Sequence, residues 1–326
     1  MQTYSIVIRT LGTGGDKFRQ ELISITKQSV QPEQVLIYIA EGYSRPNFTI
    51  GKEKYIWVKK GMMAQRILPY NEITSDCILM LDDDVCLAVD SAERMLAVME
   101  TYKADCVGAD TFRNQDMPFK GKLYVAVTNL VFPHYSRKWA FKIHQNGSFS
   151  YNNHPVKSFY WSQSCAGPAS LWRKNIYHQL HLEDELWLDN LEFAYGDDVL
   201  GFYKLYKNGF RLGILYDSGI SHLNGGSSSS AFRKSPQWMY IRTKASFVIW
   251  WRTCYKPGDT SLVERVLALL AFGIKTVWLF FIVCLAAVIG KNRSFIFHYI
   301  KGVMDGWCFV HSTYFRFLPN YVIRQS

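Results

Sequence analysis

Three consecutive aspartates, Asp82-Asp83-Asp84, close the apolar run Cys77-Ile-Leu-Met-Leu81. Adjacent carboxylates repel one another unless a cation or a substrate neutralises them. At the end of a buried strand the economical partner is a hard divalent ion. Mg²⁺ or Mn²⁺ takes one or two protein carboxylates and completes its shell with phosphate oxygens and water. A second acidic pair lies in Tyr195-Gly-Asp-Asp-Val199. Asp197 and Asp198 there would stand at a helix N-terminus, where the dipole favours negative charge. Capping accounts for one acid, which leaves the other as a candidate general base. His222 precedes Gly225-Gly-Ser-Ser-Ser-Ser230 and the cations Arg233 and Lys234. That order sets a metal-ligating imidazole beside a cationic lid over phosphates. A structural histidine and a plain helix cap remain open as alternatives.

Other phosphate-binding signatures fail on single residues. Gly12-Thr-Gly-Gly15 follows an apolar run, but Lys17 stands where the dinucleotide fingerprint needs its third glycine. No P-loop pattern occurs, and the haloacid phosphatase pattern starting at Asp82 meets Cys86 at its fifth position.

The elements that must position these groups alternate over residues 1–110. Tyr4-Ser-Ile-Val-Ile8 reads as a first strand, and Asp16 as the cap of a helix carrying Phe18, Leu22 and Ile25. Residues 34–39 and 55–58 give two further strands, a helix is expected over 62–74, and 77–81 is a fully apolar strand. Asp90 and Glu93 suggest a capping pair for a helix to about Tyr102. Strands without polar alternation, separated by helices, indicate a mostly parallel sheet covered on both faces. Ligands then bind beyond the carboxyl ends of the strands, where Thr10, Glu41 and Asp82 to Asp84 fall. Residues 111–180 are aromatic and loop-rich, 190–207 read as a helix, and 210–216 as a strand.

The chain has 326 residues, 48% hydrophobic and 20% charged, with seven scattered cysteines and no CxxC pair. A mean hydropathy of −0.07 argues against a polytopic membrane protein, and the cysteine pattern points to reduced thiols rather than a disulfide or zinc framework. The run at Tyr4–Ile8 is closed by Arg9, so no signal peptide is expected there. The net charge is +10, yet residues 233–326 hold 13 of the basic residues and only three acids. All the excess charge thus sits in the most apolar part of the chain. That combination suits an anionic membrane surface better than nucleic acid.

Taken together, the motifs resemble family 2 glycosyltransferases of the GT-A fold, inverting enzymes that use nucleotide-diphosphate sugars. The resemblance covers about residues 3–225. Ser5-Ile-Val-Ile-Arg9-Thr10 resembles the family's opening strand and its nucleotide-contacting threonine, and Glu41 falls where the family has an acid near the base. Ala64-Gln65-Arg66 is similar to its "ARN" segment, with Ile67 in place of the asparagine. Leu81-Asp82-Asp83-Asp84 matches its DxD motif. Cys165-Ala-Gly-Pro-Ala-Ser170 with Arg173 resembles its acceptor-side segment, and Tyr195-Gly-Asp-Asp-Val its "G-E-D-V", with Asp197 replacing glutamate. The resemblance implies donor binding by Thr10, Glu41, Arg66, Asp82, Asp83, Arg233 and Lys234, and a metal on Asp84 with His222. It implies acceptor contacts at Ala166, Gly167 and Asp197, and Asp198 as catalytic base. The expected fold is a Rossmann-like α/β catalytic domain over 1–225, a Gly/Ser lid or linker over 226–236, and a basic, apolar helical region over 237–326. The expected partners are a UDP-sugar, a glycan or lipid-linked acceptor in surface polysaccharide synthesis, and the cytoplasmic face of a membrane. A metal-dependent nucleotidyltransferase and a non-catalytic membrane scaffold are the rival readings.

Val266 to Gly290 is interrupted only by Lys275. As one helix it would reach about 37 Å, enough to cross a bilayer. Lys275, a possible kink at Gly273 and basic residues at both ends argue instead for helices lying in the interface. Trp250, Trp251, Trp278 and Trp307 would then act as belt anchors.

Overall fold

The computed structural model describes residues 2–111, 119–129, 131, 133–223, 232–258 and 260–323. The first half runs β1 (Tyr4–Thr10), α1 (Gly15–Thr26), β2 (Val35–Ala40), β3 (Glu53–Val58), α2 (Met62–Arg66), β4 (Cys77–Asp82), β5 (Val85–Leu87), α3 (Ser91–Tyr102) and β6 (Cys106–Ala109). Next come α4 (Phe119–Thr128), β7 (Phe141–Ile143), β8 (Phe149–Tyr151), β9 (Phe159–Ser162), β10 (Ala169–Arg173), α5 (Lys174–Gln179), α6 (Asp197–Lys207), β11 (Leu212–Leu215) and β12 (Ile220–His222). The C-terminal region holds α7 (Pro236–Trp250), α8 (Leu262–Ile289), α9 (Ser294–Val310) and α10 (Thr313–Arg316).

Eight strands form one sheet in the order β3-β2-β1-β4-β10-β6-β11-β9. β9 and β10 run antiparallel to their neighbours and the rest are parallel. Side chains alternate between faces with period two. Ile6, Ile8, Ile37, Leu79 and Leu81 therefore pack on one side against α1 and α3. Val7, Leu36, Ile78 and Met80 pack on the other, against Tyr177, Phe202 and Leu205. Covering both faces is why these strands lack polar positions, as their sequences indicate. The β3-β2-β1-β4 order reverses direction at β1, so a crevice opens above the carboxyl ends of β1 and β4. β10 runs the other way, with Ala169 opposite Leu81 and Arg173 opposite Cys77. Its start therefore overhangs the crevice and its end lies at the opposite edge.

Several local expectations change. The 62–74 helix is one short turn ending at Arg66, and the chain then passes Tyr70 at φ 45°. The 190–207 helix begins only at Asp197, because Gly196 at φ 85° breaks the direction of the chain. Asp16 lies inside the first turn of α1 rather than capping it. Asp90 precedes α3 without a side-chain cap bond and pairs with Arg94 instead. Of the expected Gly/Ser lid or linker over 226–236, residues 226–231 lie outside the described residues.

The C-terminal helices share a core with the sheet domain: Ala245, Val248 and Trp250 of α7, Phe272 of α8 and Tyr321 bury against Phe141, Trp187, Leu200 and Tyr203. α8 is one unbroken 28-residue helix, not two pieces split at Lys275, and its N-terminus carries a Ser261–Glu264 capping box. Lys275 turns inward and donates from Nζ to the Asn146 carbonyl at 2.9 Å. Trp250 is also no interfacial anchor: it is 1% exposed and stacks on Phe272 at 3.8 Å. Trp307 stays exposed. The seven cysteines are all free thiols.

Candidate active site

Arg66 is the hub of the crevice, and its placement is expensive. Five residues are too few to make a stable helix alone. α2 is instead capped by a distant side chain: the amides of Met63 and Ala64 donate to the two carboxylate oxygens of Asp189, each at 2.9 Å. Gly61 permits this approach, since a Cβ there would lie 2.4 Å from Asp189 Oδ2. The hydroxyls of Tyr177 and Tyr70 then donate to the Arg66 carbonyl at 3.2 and 3.4 Å. So fixed, the guanidinium reaches three acids. Nη1 donates to Asp198 Oδ1 and stands 2.6 Å from Asp197 Oδ2, and Nη2 lies 3.4 Å from Asp82 Oδ2. The Asp197 contact is an ion pair without hydrogen-bond geometry, leaving that oxygen otherwise unsatisfied.

Arg9 completes the ring. Its position opposite Asp82 in the β1–β4 register brings Nη2 to 2.7 Å from Asp82 Oδ1, and the same nitrogen donates to the Gly167 carbonyl at 3.2 Å. The Asp82 amide donates to the Pro168 carbonyl at 2.9 Å, which pins the β10 approach over the strand end. Gly167 is pressed against the acids: a Cβ there would lie 2.2 Å from Asp198 Oδ1 and 2.5 Å from Arg66 Nη1. Thr10 donates from Oγ1 to Asp83 Oδ2 and accepts from the Gly12 amide at 2.8 Å.

The electrostatics follow from crowding. Burial, then the charges of Asp198 and Asp82, push the Asp197 carboxyl up, and Arg66 offsets only part of this. Burial and the flanking aspartates raise Asp83, against the Thr10 hydrogen bond that stabilises its charge. Glu21 of α1 is fully buried beneath the acidic turn with neither oxygen hydrogen-bonded, and burial together with Asp83, Asp82 and Asp84 pushes it far up.

Asp84 lies in the turn just before β5, which pairs antiparallel with β12 in a separate small sheet. This pairing sets His222 Nε2 3.3 Å from Asp84 Oδ1, and the Leu223 amide donates to the Asp84 carbonyl at 2.7 Å. Among the described residues no group of three or more metal-binding side chains assembles. One carboxylate and one imidazole fit a Mn²⁺ or Mg²⁺ whose remaining positions are filled by phosphate oxygens and water.

Thr10, Arg66, Asp82, Asp83, Gly167, Asp197 and Asp198 thus meet in one crevice, with Asp84 and His222 paired at the end of the small β5–β12 sheet. Ala166 adjoins Gly167 and is half-buried, while Glu41 is exposed just past β2. Arg233 and Lys234 form an exposed single turn before α7. Arg173 of the resemblance is corrected. It ends β10 at the opposite edge of the sheet, 2.9 Å from Glu100, because the antiparallel strand carries it away from the crevice. Arg9 and Asp189 were not singled out from sequence. A charge near the end of an apolar strand was the available signal for Arg9, whereas nothing local marks Asp189.

A glycosyl transferase family 64 domain matches residues 4–130. No curated protein matches the chain. Among solved structures, a complex of GalNAc-T7 with UDP, GalNAc and Mn²⁺ is similar with 14% identity and a TM-score of 0.52, covering 81% of this chain and 53% of that one. Staphylococcus aureus TarS is similar with 12% identity and a TM-score of 0.48, over 83% of this chain and 42% of that one. The chain thus spans about half the length of these two proteins. The mostly parallel sheet flanked by helices, with the acidic motif at the end of β4, is a glycosyltransferase fold of the GT-A type.

Proposed function

We propose that the chain is a metal-dependent, inverting glycosyltransferase of the family 2 kind, moving a hexosyl unit from a UDP-sugar to a hydroxyl of a glycan or lipid-linked acceptor in surface polysaccharide synthesis. The observation that carries the proposal is the Arg66 bridge. One guanidinium touches Asp82 on β4 and both Asp197 and Asp198 on α6, so a donor at the DxD turn and an acceptor at Asp198 share one crevice. The GalNAc-T7 complex, with UDP and Mn²⁺ on a similar fold, supports the choice of donor and metal.

Displacement at an anomeric carbon needs a deprotonated acceptor hydroxyl and a stabilised leaving group. Asp198, 33% exposed at its side chain, is the acid that an acceptor can reach. It takes the hydroxyl proton, and attack opposite the leaving group inverts the configuration. Asp197, whose carboxyl burial pushes up, holds Arg66. Thr10 and Asp83 receive the nucleoside, while Asp84 and His222 would hold the metal, whose charge offsets that of the departing diphosphate.

The C-terminal helices would bind the cytoplasmic face of an anionic membrane. Val263, Leu267, Leu270, Ile274, Val277 and Phe281 form one exposed stripe on α8, 49–68% accessible, while Ala268, Phe272 and Lys275 face the protein. Helices with one apolar face and basic surroundings lie in the interface.

A thermal-shift panel of nucleotide-sugars with and without Mn²⁺ tests the function. A UDP-sugar should stabilise the wild type in a metal-dependent way and leave Asp84→Ala unmoved, and NMR of the product should show inverted configuration. No response to any donor would end the proposal.

A further inference from the structure

Residues 319–323 lie along α6, the helix that begins with Asp197 and Asp198. Tyr321 is 0% exposed, and its hydroxyl donates to the Leu200 carbonyl at 2.6 Å. Leu200 closes the first turn of α6, since its amide donates to the Gly196 carbonyl at 3.0 Å. The phenol therefore grips α6 at the turn that carries both acids. At the other end of the helix, Asn208 donates from Nδ2 to the carbonyls of Lys204 and Tyr321, at 2.7 and 3.2 Å, and accepts from the Ile323 amide at 2.6 Å. Tyr321 and Ile323 thus hold both ends of α6.

The segment is itself anchored from outside. Arg252 donates from Nη1 to the Pro319 carbonyl at 2.6 Å, and its Nε and Nη2 donate to the two oxygens of the buried Glu185 carboxylate at 3.0 and 2.7 Å. The Val322 amide donates to the Pro257 carbonyl at 2.8 Å. Pro257 precedes α8 and Pro319 follows α10, so the two ends of the C-terminal helical region meet at this strap. Through Phe202 and Leu205, α6 packs against the sheet. The helix is therefore held between the sheet and the strap. A slide of α6 by one residue's rise, about 1.5 Å, would move Asp198 by more than the ~1 Å that can cost about 10²-fold in rate.

We propose that Tyr321 is a positioning residue for the transfer reaction: through the strap 319–323 it sets where Asp198 stands. This rests on the function proposed above, in which Asp198 is the acceptor-facing base. Tyr321 touches no reacting group, and its effect passes through the backbone of α6. The strap makes the C-terminal region a working part of the catalytic domain.

The test uses the full chain with Mn²⁺ and UDP-GlcNAc, and follows hydrolysis with water as the acceptor. Tyr321→Phe keeps the ring and removes only the hydroxyl. It should lower kcat about tenfold with UDP affinity unchanged, at a temperature where the variant is fully folded. Asn208→Ala, which frees the other end of α6, should act in the same direction. Phe315→Leu, a change on α10 in the same buried cluster, should lower the melting temperature and leave kcat unchanged, which separates positioning from stability. Hydrogen exchange reads the strap without turnover. Tyr321→Phe should speed exchange of the Leu200 amide, and the wild-type amides of Val322 and Ile323 should be protected. Unchanged kcat or unchanged Leu200 exchange in Tyr321→Phe, an equal loss of kcat in Phe315→Leu, or unprotected amides at Val322 and Ile323 would overturn the inference. Absence of any hydrolysis by the wild type would instead count against the function proposed above, with the exchange measurements still deciding the strap.

Discussion

Gly167→Ala should separate folding from chemistry more cleanly than any other single change. A Cβ at 167 would sit 2.2 Å from Asp198 Oδ1 and 2.5 Å from Arg66 Nη1, where ordinary contact begins at 3.4 Å. The carboxylate must therefore retreat by about 1.2 Å. Both obstructing atoms are ends of side chains, so stability should fall toward the low end of the ~1–3 kcal/mol typical of overpacking. Activity should fall much further, because a misplacement of about 1 Å in a reacting group can cost ~10²-fold. The assay is initial-rate transfer under saturating donor, with UDP affinity and melting temperature measured on the same preparation. The expected result is a loss of about 10²-fold in kcat with UDP binding kept. A variant that folds, binds UDP and retains kcat within a factor of about three would refute the placement of Asp198 as the acceptor-facing base.

Asp198→Asn should lower kcat by roughly 10²–10⁴ with little change in UDP affinity, the range expected for a general base. Glu185 is fully buried and holds two buried cations, Arg252 at 2.7 Å and Lys204 at 3.1 Å. Glu185→Gln leaves Arg252 without its carboxylate and Lys204 with Asp184 at 3.3 Å, and should cost about 3–5 kcal/mol in urea unfolding. Asp189→Ala removes both cap bonds of α2. It should cost about 1 kcal/mol as a cap, and it should depress kcat as well, since Arg66 loses its mount. Lys275 is pushed down to about 8 by burial. The folded state holds that proton less tightly than the unfolded chain, so the penalty is full below pH 8 and disappears as pH rises to about 10.5. The stability of the wild type relative to Lys275→Met should thus increase by up to about 3 kcal/mol between pH 7 and 10.5. A flat difference in urea midpoints would contradict the burial of the charge.

The parallel sheet was legible because strands covered on both faces must be apolar throughout, and β1, β2 and β4 satisfy that rule with buried residues at nearly every position. The acidic turn was legible for the same reason, since three carboxylates directly after such a strand have few places to go. Helix limits were less so. Asp16 and Asp90 have the composition of caps, but the side-chain geometry that makes a cap depends on where the preceding loop lies. Trp250 and Trp251 look alike in sequence, yet the first is buried and the second only half so. Which face of α7 meets the sheet domain decides that.

By itself the amino-acid order determined the alternation of strands and helices, the acidic edge after β4, and the concentration of cations beside the apolar C-terminal run. These are properties of neighbouring residues, set by burial pattern and local charge. Tertiary structure alone decided that Arg66 joins Asp82 to Asp198 and that Asp189, 126 positions beyond Met63, caps the turn that carries it. It also brought His222 to Asp84, and Arg9 to Gly167 across 158 positions. Each of those contacts depends on strand register and on how the crossovers return, quantities that no stretch of local sequence carries.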